Sequence, residues 1–165
     1  METILAIEIQ RFSVTSSKPF EKVLAAVDAA IGHPDGGEFH RKLASTKTYA
    51  AIEKIVNEVV GVSGLMEFIR FDLGEILRKE HGDRTPRILR LVIGNPLIMK
   101  QMVEHLPDAG SYAPVTILID ERPDGVHLSY DTMASALAPY GSREASKIAH
   151  DLDQKVIAML EAAAN

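Results

Sequence analysis

Leu5, Ile7 and Ile9 alternate with Ala6 and Glu8, the two-residue period of a strand with one buried side. The phase then slips by one to Phe12 and Val14, which predicts a bulge near Gln10 within one strand. Ser16, Ser17 and Pro19 open a helix whose apolar positions, Phe20, Val23, Leu24, Val27 and Ile31, share one face. Gly32–Gly37 breaks it, and a second helical pattern from about Ser45 carries Ile52, Ile55, Val56, Val59 and Val60. The run "LMEFIRF" predicts a strand, and Asp72 and Glu75 have the spacing of a capping box, starting a short helix that ends near His81-Gly82.

"RILRLVI" is a further strand, with Leu89, Leu91 and Ile93 on one side and Ile88, Arg90 and Val92 on the other. Asn95 caps and Pro96 begins the next helix, which turns Met99, Met102, Val103 and Leu106 inward. The clearest hairpin sets Val115, Ile117 and Ile119 on one face with Val126, Leu128 and Tyr130, across a four-residue loop at Arg122–Gly125. That register places Asp120 opposite His127 and Leu118 opposite Ser129, and a slip of one residue would mix the faces. A helical turn at Thr132–Ala138 leads to a last helix capped by Ser142, with Ala145, Ile148, Ala149, Leu152, Val156 and Leu160 as its stripe. The order predicts an α+β fold: a mainly antiparallel sheet of about five strands with the long helices on one face, a two-layer sandwich.

A chain of 165 residues has the size of one domain, so residues 1–165 are taken as a single unit with a sizeable core. The net charge of -5 argues against a broad electrostatic grip on nucleic acid or anionic lipid, despite Arg84, Arg87 and Arg90 lying close together. With no cysteine, disulfides, thiol nucleophiles and thiolate metal sites are all excluded. The N-terminus has no signal-peptide pattern, and no apolar run approaches the roughly 18 residues of a membrane span. A soluble, cytoplasmic protein is expected.

"FIRFD" (Phe68–Asp72), "GNP" (Gly94–Pro96), the Leu106-Pro107 and Ala113-Pro114 steps and "DGVHLSYD" (Asp124–Asp131) follow one another in a telling order. Over roughly its second half, the chain resembles the bacterial and archaeal domain of unknown function family 302. The resemblance implies a compact α+β sandwich that forms dimers, and it implies no reaction. Two departures stand out. Asp72 is followed by Leu73 where relatives often have His, and Leu97-Ile98-Met99-Lys100 replaces a small-residue segment after "GNP".

His127, Ser129 and Asp131 are the residue types of a hydrolase triad, but alternate strand residues stand roughly 6.6 Å apart, so His127 and Asp131 cannot meet. No nucleophile elbow accompanies them. Their face makes better sense as a surface of Thr116, Leu118, Asp120, His127, Ser129 and Asp131, joined by Ile88, Arg90 and Val92. Half of it is apolar, which predicts a cover: a second protomer, giving a homodimer, or a ligand.

The expected site is His127, Asp120, Arg90 and Ser129, in a binding module rather than an enzyme. His127 is also the candidate metal or non-covalent haem-iron ligand, with Asp120 orienting it and Arg90 meeting a carboxylate of the bound molecule. The alternatives are an interface without ligand and an enzyme using His127 as general base. His33, Asp35, Glu38 and His40 are read as a solvated loop and helix start. Gly94-Asn95-Pro96 is read as a cap without phosphate.

Overall fold

The computed structural model describes residues 2–82 and 84–165. Its centre is a sheet of five strands: β1 (Arg11–Ser16), β2 (Met66–Asp72), β3 (Ile88–Gly94), β4 (Val115–Arg122) and β5 (Gly125–Asp131). Their spatial order is β1-β5-β4-β3-β2, and every neighbouring pair is antiparallel. The helices are α1 (Phe20–Ala30), α2 (Gly36–Ser45), α3 (Tyr49–Val59), α4 (Leu73–His81), α5 (Pro96–His105), α6 (Met133–Leu137) and α7 (Arg143–Ala164). This is the expected α+β sandwich. No helix among the described residues is long and apolar enough to cross a membrane.

The alternation along the strands decides which side of the sheet is covered. Leu89, Leu91 and Ile93, Val115, Ile117 and Ile119, and Val126, Leu128 and Tyr130 all turn to one side and are buried. There α7 packs against α1, α5 and α6, and its Ala145, Ala149, Leu152, Val156 and Leu160 join the same core. Wholly buried side chains such as Leu91, Ile117 and Leu128 each contribute on the order of 2 kcal/mol. Among the described residues, the long helix α7 and its partners gather on that one side, and the candidate residues lie on the other.

Three local predictions differ from the structure. The strand expected from Leu5 begins only at Arg11. Its partner β5 ends at Asp131, opposite Arg11, so earlier residues run past the end of any neighbour. Gln10 makes the last attachments, its carbonyl accepting from the Thr132 amide and its amide donating to the Ser135 hydroxyl. The predicted connection at residues 33–45 contains α2, capped by Asp35, whose carboxylate accepts from the Glu38 amide at 2.6 Å. Asp35 and Glu38 repeat the spacing of Asp72 and Glu75, so the signal was present but masked by Gly36-Gly37.

The hairpin keeps the predicted register, with Asp120 opposite His127 and Leu118 opposite Ser129. Its ladder continues to Arg122 opposite Gly125, which leaves only Pro123 and Asp124 as the loop. Gly125 has φ +139, and a Cβ there would lie 2.6 Å from the Ser16 carbonyl oxygen, so only glycine lets β1 end beside the turn.

A smaller cluster of Phe39, Val56 and Met66 seats α2 and α3 beside the start of β2. Here the chain crosses itself closely. The amides of Gly32 and Gly61 both donate to the Leu65 carbonyl at 2.9 Å, and a Cβ on Gly61 would overlap the Ala30 carbonyl.

Candidate functional site

The ladders arrange the uncovered face in rows. One runs Ile69, Val92, Thr116, Asp131, Arg11; the next runs Phe71, Arg90, Leu118, Ser129, Ser13; the third runs Ile88, Asp120, His127, Thr15. All nine residues expected to share this face do share it. The four expected site residues do not form one cluster, because Arg90 and Ser129 occupy a different row from Asp120 and His127. Two strand spacings, about 10 Å, separate the Arg90 and Ser129 backbones.

In the third row, Asp120 and His127 are opposite one another yet do not bond. Asp120 is buried and accepts from Arg122 at 2.6 and 3.3 Å. His127 Nε2 lies 2.9 Å from an Asp124 carboxylate oxygen, and Nδ1 lies 3.4 Å from the Thr15 hydroxyl. The expected orienting carboxylate is therefore replaced by Asp124, three residues back across the turn. The reason is local: Arg122 follows Asp120 by two positions on the same side of β4 and holds it, while the tight turn brings Asp124 over the imidazole. The hydrogen bond from His127 holds the Asp124 carboxyl below its usual range. A metal or haem iron at His127 would have to displace Thr15 or Asp124.

The second row opens into a cavity of about 440 Å³ at the Val115 end of β4. Arg90, Leu118, Ser129, Arg11, Asp131 and Tyr112 are among its lining. Arg11 and Asp131 are paired side by side at 2.5 and 2.7 Å, and this contact lowers the Asp131 carboxyl and raises the Arg11 guanidinium. The Tyr112 hydroxyl meets that of Tyr140 at 2.7 Å. Arg90 has no carboxylate within ion-pairing distance among the described residues, so its guanidinium stands beside Leu118 uncommitted. A cationic fork over an apolar floor is suited to a small molecule with an anionic group on a hydrophobic body.

The loop read as solvated divides its residues. Asp35 caps α2 and Glu38 pairs with Lys42 at 2.7 Å. His33 instead joins Asp28 and Glu67, and one atom from each lies within 4.8 Å of the others. Sequence spacing did not reveal this group, which the fold assembles from α1, β2 and the loop between α1 and α2. Its centre already has a cation. Arg70 donates to Asp28 at 2.5 Å and to Glu67 at 2.5, 3.1 and 3.2 Å, bonds that outweigh the cost of its partial burial and raise its pKa. At "GNP", Asn95 accepts from the Leu97 amide at 2.8 Å and donates to the Gly64 carbonyl at 2.9 Å, the expected cap.

Five antiparallel strands with helices on one face and a lined cavity on the other define a two-layer α+β sandwich with an open sheet face. The chain belongs to the family described as domain of unknown function DUF302, whose profile matches residues 39–163. The match thus reaches well before the second half of the chain, where the resemblance was read, and takes in α3 and most of α2. A crystal structure of an uncharacterized conserved protein DUF302 from Bacillus stearothermophilus is similar in fold, with a TM-score of 0.64 and 12% identity. The similarity covers 93% of this chain and 97% of that one. No curated protein matches the chain.

Proposed function

We propose that this protein is a cytoplasmic, homodimeric binding module that holds a small organic anion on its open sheet face. Arg90 takes the anionic group, Ser129 offers a hydroxyl, and Leu118 supports the apolar body. The observation that carries this reading is the uncommitted Arg90 guanidinium in a cavity where the other basic lining residue, Arg11, is neutralised by Asp131. A cation left beside apolar surface is a natural place for a carboxylate to complete an ion pair. The half-apolar face also supports pairing of two copies, which would enclose the cavity.

The reading favours Arg90 and Ser129 over His127 as ligand contacts, because both imidazole nitrogens already have partners. It assigns no reaction. The test is native mass spectrometry with a thermal-shift panel of aliphatic and aromatic carboxylates, their uncharged amides and haem. Carboxylates that bind the parent protein should lose about tenfold or more in affinity in Arg90→Ala. Equal binding of acid and amide, or binding indifferent to Arg90, would overturn it. Haem binding lost only in His127→Ala would restore the iron-ligand reading.

A further inference from the structure

A second cavity, of about 280 Å³, lies at the Gly94 end of β3, where β4 begins. Stretches far apart in the sequence meet around it: Phe68, Gly94-Asn95-Pro96 and Ala113-Pro114, with Met99 and Met102 from α5. Its floor belongs to the core, for Met102, Val115 and Leu152 are buried. Phe68 and Pro114 are exposed at its mouth. The β2–β3 ladder slips between Glu67 and Ile69, so Phe68 has no partner in the ladder and its ring lines the cavity instead.

The chemistry of this lining differs from that of the Arg90 cavity, with which it shares only Val115. Among the described residues, no charged side chain lines it. Asn95 is its one polar side chain, and that is spent on the Leu97 amide and the Gly64 carbonyl. Pro96 and Pro114 have no amide to offer, and the Ala113 amide already donates to the Ala109 carbonyl. An ionised ligand would lose its hydration here with nothing in return. The space itself is kept open at Gly94, which is not among the glycines of positive φ. A Cβ there would stand 3.3 Å from the Pro114 Cβ and 3.4 Å from the Phe68 ring.

We propose that this cavity is a second binding site, for an uncharged aromatic molecule of one or two rings. Size sets the limit: an apolar cavity of about 150 Å³ accepts benzene, so roughly twice that volume accepts a bicyclic ring. Aromatic character follows from the walls. The thioethers of Met99 and Met102 favour the edge of a ring, and Phe68 offers an edge-to-face partner at the mouth. The site is independent of the anion reading, since Arg90, Ser129 and Leu118 do not line it.

Methionine methyl groups report on the two cavities separately. The chain has six methionines; Met99 and Met102 line this cavity and Met133 the other. With the methyl groups isotope-labelled, the full chain is titrated by NMR with indole and, as its charged counterpart, an indole carboxylate. Indole should shift the Met99 and Met102 resonances to saturation at concentrations that leave Met133 unmoved. The carboxylate should bind this cavity about tenfold more weakly, or worse. Gly94→Val should weaken indole about tenfold or more, by filling the space between Pro114 and Phe68. Phe68→Ala, at an exposed position, should weaken it about fivefold, and it serves where Gly94→Val does not fold. A response that comes first at Met133, equal binding of the two probes at Met99 and Met102, binding indifferent to Phe68, or no saturation up to the solubility of indole would each overturn the proposal.

Discussion

The Tyr130 hydroxyl donates a hydrogen bond to Asp153 Oδ1 at 2.6 Å, inside the layer between the sheet and α7. The same carboxylate accepts from the amides of Met133 and Ala134 at 2.8 and 3.0 Å. One buried side chain therefore ties the end of β5, the first turn of α6 and the middle of α7. Burial and the neighbouring Asp153 charge raise the Tyr130 pKa, so the hydroxyl keeps its proton, and its role as donor, above the ordinary tyrosine range.

Replacing Asp153 by Ala should cost about 3 kcal/mol, because buried donors lose their acceptor together. Asp153→Asn keeps one acceptor oxygen and should cost less. Tyr130→Phe removes the bond to Asp153 and the longer 3.3 Å bond accepted from the Met133 amide, which keeps Asp153 as its acceptor, for about 1 kcal/mol. Urea denaturation of the three variants checks the order, and an Asp153→Ala loss no larger than that of Tyr130→Phe would refute the tie.

Acid should weaken the fold through carboxylates whose folded pKa lies below the ordinary value. Asp131 beside Arg11 and Glu121 beside Arg87 are both lowered, from 3.8 and 4.5. Their contribution is complete above the unfolded values, where both states are ionised. It declines as pH falls below about 4.5, where the unfolded chain takes up protons first. The Arg11–Asp131 pair is exposed and the Arg87–Glu121 pair half-buried, so salt should reduce the effect, more for the first than for the second. Denaturant midpoints from pH 6 to pH 2 at low and high salt would show it, and a midpoint flat across that range would contradict it.

Arg70 is the shared cation of Asp28 and Glu67, with His33 alongside. Arg70→Ala should cost about 1 kcal/mol after solvent screening. It also frees three ligand groups of a kind that zinc accepts. The variant, unlike the parent, should gain melting temperature on addition of zinc, and His33→Ala in the same background should abolish the gain. Equal responses of parent and variant would show that Arg70 does not occupy the position of a metal.

The crossing of Gly32 and Gly61 leaves no room for a methyl group. Gly61→Ala should cost about 1–3 kcal/mol through displaced backbone. The loss should be concentrated in α2 and α3, whose small cluster depends on that crossing. Hydrogen exchange would read this as faster exchange in residues 36–59, with the sheet less affected; uniform acceleration would argue against a local role.

The hairpin register was legible because two alternating strands admit only one pairing that keeps their apolar faces together. The rows of the open face follow from it. Side-chain partnership was not legible at that level. Asp120 and His127 are opposite in the ladder, yet Arg122 and Asp124 claim them, since a register fixes Cα neighbours and not the reach of longer side chains. Asp153 was hidden for a different reason. It borders the stripe of α7, one residue after Leu152 and three before Val156, and its meaning depends on donors at Tyr130, Met133 and Ala134 that only the fold delivers. Arg90 was legible as a member of the face, but its lack of an ion-pair partner among the described residues was not.

The pairing of β1 with β5 joins residues 120 positions apart at Arg11 and Asp131, and the Ser16 hydroxyl reaches the Ala164 carbonyl across 148. During synthesis, the outer strand leaves the ribosome long before its neighbour is made. At about 10 residues per second, β1 waits on the order of ten seconds for β5 to follow it out. Throughout that interval α1 has no α7 to cover Val23 and Val27. A nascent chain stopped before Gly125 would therefore display both an unpaired strand and an uncovered helix, the combination that holding chaperones recognise.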